Sequence, residues 1–214
     1  MRQAIYTCFV FIIIFAGCRK KDEAPPTFQI IGDSTVSINL FTEYSDSGVI
    51  INDNKSGFFI DTINTVENDE IGEYIIKYVA VDDEGNIGTF TRRVKVIVVI
   101  DNMIGQYHVN ETVSEGPSAG DYVYTLTVTK NSSNNGLLMS FFGGWGSSAV
   151  ANATITEDGE IDIPQQEFHE GTLSGSGTIN KNAKSFTIDY TYNYADGTDV
   201  SHFTASYIEE DENK

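Results

Sequence analysis

Strict alternation of apolar and polar residues is the feature that most limits how this chain can fold. In the run SFTIDYTYNY (185–194), aromatic or aliphatic residues fill every second position, and polar residues fill the others. Successive side chains of a β-strand point to opposite faces, so the pattern predicts a strand with one buried face. Short runs rich in Val, Ile, Thr, Tyr and Phe recur between clusters of Pro, Gly, Asn and Asp. The chain is therefore predicted to be all-β.

The N-terminus carries an apolar run, residues 5–15, that is too short to span a membrane. It has 11 residues, whereas a spanning helix needs about 20. Arg2 precedes the run and small residues follow it, as in a secretory signal. The tetrad FAGC (15–18) resembles a bacterial lipobox, which implies cleavage before Cys18, acylation of its thiol and a lipid anchor in the membrane. An ordinary secretory signal with an incidental cysteine is the alternative.

The polar segment after the signal is expected to form a tether. Within it, Lys21-Asp22-Glu23 resembles the export signal of Bacteroidota lipoproteins, which implies display on the outer face of the outer membrane. A plain solvated linker is the alternative. The predicted organisation is a signal peptide, a lipidated cysteine with its tether, a first β-domain and a second β-domain, with the bounds 1–17, 18–26, 27–100 and 101–214.

Acidity and the placement of the cysteines exclude several functions. The formal net charge is -18 at pH 7, which argues against binding to nucleic acid. Both cysteines, Cys8 and Cys18, are assigned to the signal and the anchor, so neither a disulfide nor a thiolate metal site is expected in the folded part. The sequence contains no nucleophile elbow, phosphate-binding loop or dinucleotide fingerprint. We therefore predict no catalytic residue, no cofactor and no enzymatic activity.

Residues 27–100 carry the motifs of an Ig-like domain. The pattern Glu70-Ile71-Gly72-Glu73-Tyr74 is typical of a tyrosine corner, in which the phenol bonds to upstream backbone. The runs YSDSGV (44–49) and GEYIIKYVAVDDEGN (72–86) resemble an Ig-like domain that is repeated in many bacterial surface proteins. The resemblance implies a β-sandwich with a spacer or interaction role.

Eight candidate strands follow in residues 104–214. Their short links and single apolar faces predict an antiparallel up-and-down barrel or a strongly curled sandwich. The opening MIGQYHV (103–109) resembles the start of the lipocalin-like domains that follow Ig-like modules in Bacteroidota lipoproteins. The resemblance implies that this lipocalin-like domain is the working end of the chain.

Two aromatic residues of this second domain are candidate ligand contacts. Trp145, the only tryptophan, lies among glycines in FFGGWGSS (141–148). Such a loop cannot easily bury an indole, so Trp145 could offer a flat face to a sugar ring; a tryptophan that plugs the barrel end is the alternative. Tyr194, nearest the turn that ends the alternating run, is the second candidate, although aromatic residues in this pattern more often form core.

The run AVDDEGN (80–86) gathers oxygen ligands in one turn. Asp82, Asp83, Glu84 and Asn86 could contribute to a calcium site, but calcium takes about six to eight oxygens, usually from several segments. An acidic β-turn explains the cluster equally well. We therefore predict no metal site and keep Asp82 and Asp83 as weak calcium candidates.

The resemblance of this domain arrangement to that of Bacteroidota lipoproteins implies non-catalytic glycan capture beside an outer-membrane polysaccharide uptake system. The expected partners are the membrane, through the N-terminal lipid, and a polysaccharide. The alternative is a structural or protein-partner module that docks to an outer-membrane transporter or another lipoprotein without binding glycan. A hydrolase is disfavoured by the missing motifs.

Overall fold

A computed structural model describes residues 21–55, 57–132, 136–194 and 197–208. Within these ranges the chain forms 14 strands and two short 3-10 helices, so the all-β prediction is confirmed. Neither helix is long and apolar enough to cross a membrane. The predicted lipidation site, Cys18, lies outside the described residues.

The N-terminal strands form a sandwich of two sheets. They are β1 (Thr27–Ile30), β2 (Thr35–Asn39), β3 (Val49–Asn52), β4 (Phe58–Asn64), β5 (Gly72–Asp82) and β6 (Ile87–Ile97). β1 pairs with β3, and the other sheet has the order β2-β6-β5-β4, with β2 parallel to β6. Ile76, Tyr78 and Val94 form the core, and Phe28 and Val49 of the smaller sheet pack against them. The predicted sandwich is thus present, with the apolar face of β5 turned inward.

The tyrosine corner predicted at the start of β5 is confirmed. The Tyr74 hydroxyl donates a 2.9 Å hydrogen bond to the carbonyl of Glu70. Burial raises the pKa of this phenol, and the neighbouring carboxylates, Glu70 first among them, raise it further. The hydroxyl therefore stays protonated and acts as the donor at neutral pH.

A buried ion pair lies between the sheets of the sandwich. Arg92 of β6 is 1% exposed and pairs with Asp46. Its guanidinium also donates to the Tyr44 hydroxyl (3.3 Å) and to the carbonyls of Ile31 (2.6 Å) and Gly48 (3.3 Å). Three of these partners belong to the motif YSDSGV, so that motif surrounds one buried arginine with acceptors.

Residues 22–26 lie against the sandwich instead of extending freely. Asp22 is 6% exposed, and its carboxylate accepts hydrogen bonds from the Asn54 amide (2.8 Å) and the Ala24 backbone (3.1 Å). Its carbonyl accepts one from the Asn86 amide (3.1 Å). Two asparagine side chains, Asn54 and Asn86, therefore hold Asp22, a residue of the predicted tether, on the domain.

The second half of the chain closes into an eight-stranded antiparallel barrel. Its strands are β7 (Gly105–Glu115), β8 (Gly120–Lys130), β9 (Gly136–Ser140), β10 (Val150–Ile155), β11 (Glu160–Phe168), β12 (Gly171–Ile179), β13 (Ser185–Tyr194) and β14 (Gly197–Tyr207). Each strand pairs with the next in sequence, and β14 pairs with β7. Of the two expected architectures, the up-and-down barrel is therefore correct.

Aromatic side chains fill the interior of the barrel. Phe186, Ile188, Tyr190 and Tyr192 of β13 are buried, as the alternation predicted. The 3-10 helix η2 (Phe142–Gly144), which connects β9 to β10, inserts Phe142 among them. The Phe142 ring is fully buried and lies 4.9 Å from the ring of Tyr190.

The sandwich and the barrel pack directly on each other. The 3-10 helix η1 (Ile100–Asn102) connects them, and one hydrophobic cluster contains Ile71 and Val98 together with the barrel core. The Ile71 N–H donates to the carbonyl of Lys181 at 2.7 Å, and the Val98 N–H donates to that of Glu157 at 3.1 Å. Backbone hydrogen bonds and apolar packing therefore both cross the junction.

Candidate functional site

One end of the barrel gathers aromatic and acidic side chains around a cavity. In an antiparallel meander every second connection lies at the same end, here the connections that follow β7, β9, β11 and β13. The cavity at this end has a volume of about 260 Å³. Five aromatic rings line it together with two carboxylates; the rings are those of Tyr122, Tyr124, Trp145, Tyr190 and Tyr192. We call this site the mouth cavity.

The glycine-rich loop after β9 brings the indole to the mouth cavity. Gly143, Gly144 and Gly146 have φ values of 64°, 72° and 88°, a left-handed region that glycine adopts at little cost. The Gly143 N–H donates a 3.2 Å hydrogen bond to the hydroxyl of Tyr124 on β8. The glycines thus allow the chain to turn back over the barrel end, and Tyr124 holds the turn in place.

Trp145 is neither fully exposed, as a sugar platform would be, nor fully buried, as a plug of the barrel end would be. Its side chain is 38% exposed, and its ring centroid lies 4.5 Å from Tyr192, 5.6 Å from Phe168 and 5.3 Å from His169. Part of the indole is therefore packed and part faces the mouth cavity. Phe142, which the sequence reasoning did not single out, is the ring that plugs the barrel.

Tyr194 lies behind the wall of the mouth cavity. Its ring is half-buried, 5.0 Å from that of Tyr192, and it is not among the residues that line the cavity. Its hydroxyl lies 3.3 Å from both carboxylate oxygens of Asp199. The structure thus brings both predicted contact residues to the same barrel end but places only Trp145 in the cavity wall.

Glu111 is a site residue that the sequence reasoning missed. It is 3% exposed, on the inward face of β7. Its Oε1 accepts hydrogen bonds from the hydroxyls of Tyr190 and Ser201, while its buried Oε2 has no hydrogen-bond partner among the described residues. The signal was available, because an acid at position 111 falls in phase with the apolar residues Tyr107, Val109 and Val113.

Asp199 is the second carboxylate of the mouth cavity. It is 3% exposed and accepts a 3.1 Å hydrogen bond from the backbone N–H of Ser118. Burial raises the pKa of Tyr190, and the charges of Glu111 and Asp199 raise it further. Burial and then the charge of Glu111 likewise raise the pKa of Tyr124. The phenols of Tyr124 and Tyr190 therefore stay neutral in a negative electrostatic field.

The calcium candidates Asp82 and Asp83 point to different places. The Asp82 carboxylate caps its own turn, accepting hydrogen bonds from the backbone N–H and the side-chain amide of Asn86, both at 2.7 Å. Burial raises the pKa of Asp82, but these bonds and those from backbone N–H groups outweigh it, so the net pKa lies below its usual value. The Asp83 carboxylate lies against Gly57 instead. The acidic turn that the sequence offered as the alternative is therefore present.

Asp82 does share a cluster with two other carboxylates. One oxygen each of Asp22, Asp82 and Glu84 lie within 4.8 Å of one another. The ammonium of Lys55 lies 2.9 Å from Glu84 and 3.6 Å from Asp22. The hydrogen bond from Asn54 lowers the pKa of Asp22, and the charge of Lys55 adds to that effect. The positive charge of Lys55 thus offsets part of the negative charge of these carboxylates.

Comparison with known proteins gives a family for the sandwich. Residues 28–96 match the model of the bacterial surface protein, Ig-like domain. This match covers less than half of the chain. No curated protein matches the chain.

Several solved structures resemble the chain at low identity. A lipoprotein from Bacteroides thetaiotaomicron has a TM-score of 0.35 and 18% identity, with 84% of this chain and 98% of that chain covered. A candidate outer membrane protein from Bacteroides fragilis has a TM-score of 0.33 and 13% identity, over 75% and 80% of the two chains. A variant of transferrin binding protein B from Haemophilus parasuis has a TM-score of 0.34 and 11% identity, over 78% and 41%.

Proposed function

We propose that this chain is a non-catalytic lipoprotein of the bacterial cell surface whose barrel mouth binds a saccharide. The composition of the mouth cavity carries the proposal, because it combines a partly exposed indole with tyrosine rings and two carboxylates. Apolar ring faces can stack on the C–H groups of a sugar, and phenols and carboxylates can bond to its hydroxyls. A concave site with this mixture is typical of small-molecule binding.

The proposed location rests on the N-terminal half of the chain. The lipobox at Cys18 implies a lipid anchor, and the segment 21–23 implies export to the outer face of the outer membrane. The match of residues 28–96 to a bacterial surface domain supports a place in the cell envelope. In this proposal the sandwich is a spacer, and the barrel captures glycan for a polysaccharide uptake system.

A glycan array tests the saccharide proposal. We expect the chain from residue 19 to residue 214, which retains every described residue, to bind at least one glycan, and Trp145→Ala to weaken that binding about tenfold to a hundredfold. Such a loss corresponds to about 1–3 kcal/mol, the scale of a large side chain leaving water. Phe59→Ala is the matched control, because Phe59 is 71% exposed on β4, away from the barrel. Absence of any bound glycan, or equal binding by both variants, would contradict the proposal.

A protein-partner role is the second candidate, and an exposed strand favours it. All seven residues of β4, the edge strand of its sheet, are exposed. Phe59 lies in register with Val81 of β5, which pairs in turn with Ile87 of β6, so these residues share the outer face. Phe59 and Ile87 are 71% and 61% exposed. If this face docks to a transporter or another lipoprotein, Phe59→Ala rather than Trp145→Ala will weaken co-purification of that partner.

A further inference from the structure

The described wall of the mouth cavity contains two buried acidic side chains and no basic side chain. Glu111 and Asp199 are each 3% exposed, and no Lys, Arg or His occurs among the described residues that line the cavity. The Asp199 carboxylate is bonded to a backbone N–H and a phenol. Among the described residues, the hydroxyls of Tyr190 and Ser201 donate to Oε1 of Glu111, and the phenol of Tyr124 also interacts with this carboxylate. All three partners are neutral, so the described wall supplies no positive charge that compensates the two carboxylates.

Such an arrangement favours a positively charged ligand. A carboxylate that is taken out of water loses hydration, and neutral hydroxyls restore only part of it. The buried Oε2 of Glu111 retains an unused acceptor. The faces of aromatic rings are also electron-rich and attract cations within about 6 Å of the ring centroid. The carboxylates and the aromatic rings of the cavity therefore both favour a positively charged ligand.

We propose that the mouth cavity binds a ligand through a protonated amine, with Glu111 as the residue that selects it. The inference rests on the proposed function, since it names the ligand class of the same cavity. A protonated amine can belong to an amino sugar or to a small alkylammonium compound. A neutral saccharide would leave the charge of Glu111 uncompensated, and a carboxylated one would be repelled.

Fluorescence of the single tryptophan provides the assay, because Trp145 lines the cavity. We titrate the chain 19–214 with glucosamine, N-acetylglucosamine and methylammonium at about pH 6, below the ordinary pKa range of amines. The two sugars differ in that acetylation removes the positive charge. We expect glucosamine to bind about tenfold more tightly than N-acetylglucosamine.

Substitutions assign the preference to one carboxylate. Glu111→Gln keeps the size of the side chain and removes its charge, so it should make the two sugars bind about equally. Glu167→Gln is the matched control, because it removes the same charge from an exposed position of β11. Asp199→Asn provides a second variant, and the melting temperature of each shows that the barrel is folded. If folded Glu111→Gln keeps the full preference for glucosamine, the proposal is wrong, and loss of the preference in Asp199→Asn alone would assign the selection to Asp199 instead.

The ligand series separates this inference from the proposed function. Equal affinity for the two sugars would overturn the amine inference and leave saccharide binding intact. Binding of methylammonium without either sugar would support the amine inference, and the glycan array would then decide whether any saccharide binds. If none of the three binds, the amine inference is overturned, and the glycan array alone decides the saccharide proposal.

Discussion

At the scale of single residues, one kind of tyrosine hydrogen bond occurs three times in the described part of the chain. In each case the hydroxyl donates to the carbonyl four residues upstream, with a glycine two residues before the tyrosine. The pairs are Tyr74 with Glu70 (2.9 Å), Tyr107 with Met103 (3.0 Å) and Tyr122 with Ser118 (2.7 Å). Each pair stands where a long strand starts, at β5, β7 and β8. The tyrosine corner predicted once from the sequence is therefore a repeated way of fixing a strand start.

The three corners differ in burial, and so should their contributions to stability. Tyr107 is fully buried, so Tyr107→Phe should leave the Met103 carbonyl without this donor and cost about 1–3 kcal/mol of unfolding free energy. Tyr122 is 42% exposed, so water can replace its hydroxyl. Tyr122→Phe, the matched control, should therefore change the unfolding free energy by no more than about 0.5 kcal/mol. Chemical denaturation of both variants checks this, and equal losses would show that burial does not set the value of the bond.

At the scale of elements, alternation made the barrel strands predictable, whereas one short strand of the sandwich and one strand end were not predictable. The eight barrel strands were all expected from the sequence. β3 was missed, because four residues paired only with β1 carry too little alternation. The run EIDI (160–163) alone indicates a strand that ends before Pro164, yet β11 continues to Phe168. A register shift between Ile163 and Gln166 interrupts its pairing with β12 and accommodates the proline.

The candidate site, too, could be predicted only in part from the sequence. A glycine-rich loop marked Trp145, but nothing local shows which inward-facing residues meet it. Glu111 and Asp199 come from β7 and β14, which are far apart in sequence and adjacent only because the barrel closes between them. The alternation places both acids on inward faces, and the closure places them at the same end. The inward orientation of the two acids can be predicted from the sequence, whereas their position at the same barrel end can be known only from the strand topology.

Close packing of β12 against β13 gives a test at this scale. A Cβ atom at Gly177 would lie 2.0 Å from the backbone oxygen of Thr187, so Gly177→Ala must push the two strands apart. We expect a loss of about 1–3 kcal/mol of unfolding free energy. Ser176→Ala changes the preceding, exposed position of the same strand, so its free energy of unfolding should stay within about 0.5 kcal/mol of that of the original chain. Thermal or chemical denaturation measures both, and an unchanged Gly177→Ala variant would show that the strands separate easily here.

At the scale of the whole molecule, the base of the sandwich packs into the hydrophobic cluster of the barrel, while the sandwich keeps a second core of its own. The predicted domain boundary between residues 100 and 101 falls inside η1 (Ile100–Asn102) and stays a prediction. Lys95 of the sandwich pairs with Asp158 of the barrel at 3.0 Å, beside the backbone hydrogen bonds of the junction. In the proposed role, a sandwich joined firmly to the barrel would carry the mouth cavity as one unit on the lipid anchor.

The central claim is that the mouth cavity is where this chain binds its ligand, and the emission of Trp145 tests it most directly. With 38% of its side chain exposed, this single tryptophan should be accessible to acrylamide in the free protein. On addition of a saccharide that binds by calorimetry, the account predicts a blue shift and protection from acrylamide at the same ligand concentrations. A saccharide that binds by calorimetry but leaves both the emission and the quenching of Trp145 unchanged would place the site elsewhere and contradict the account.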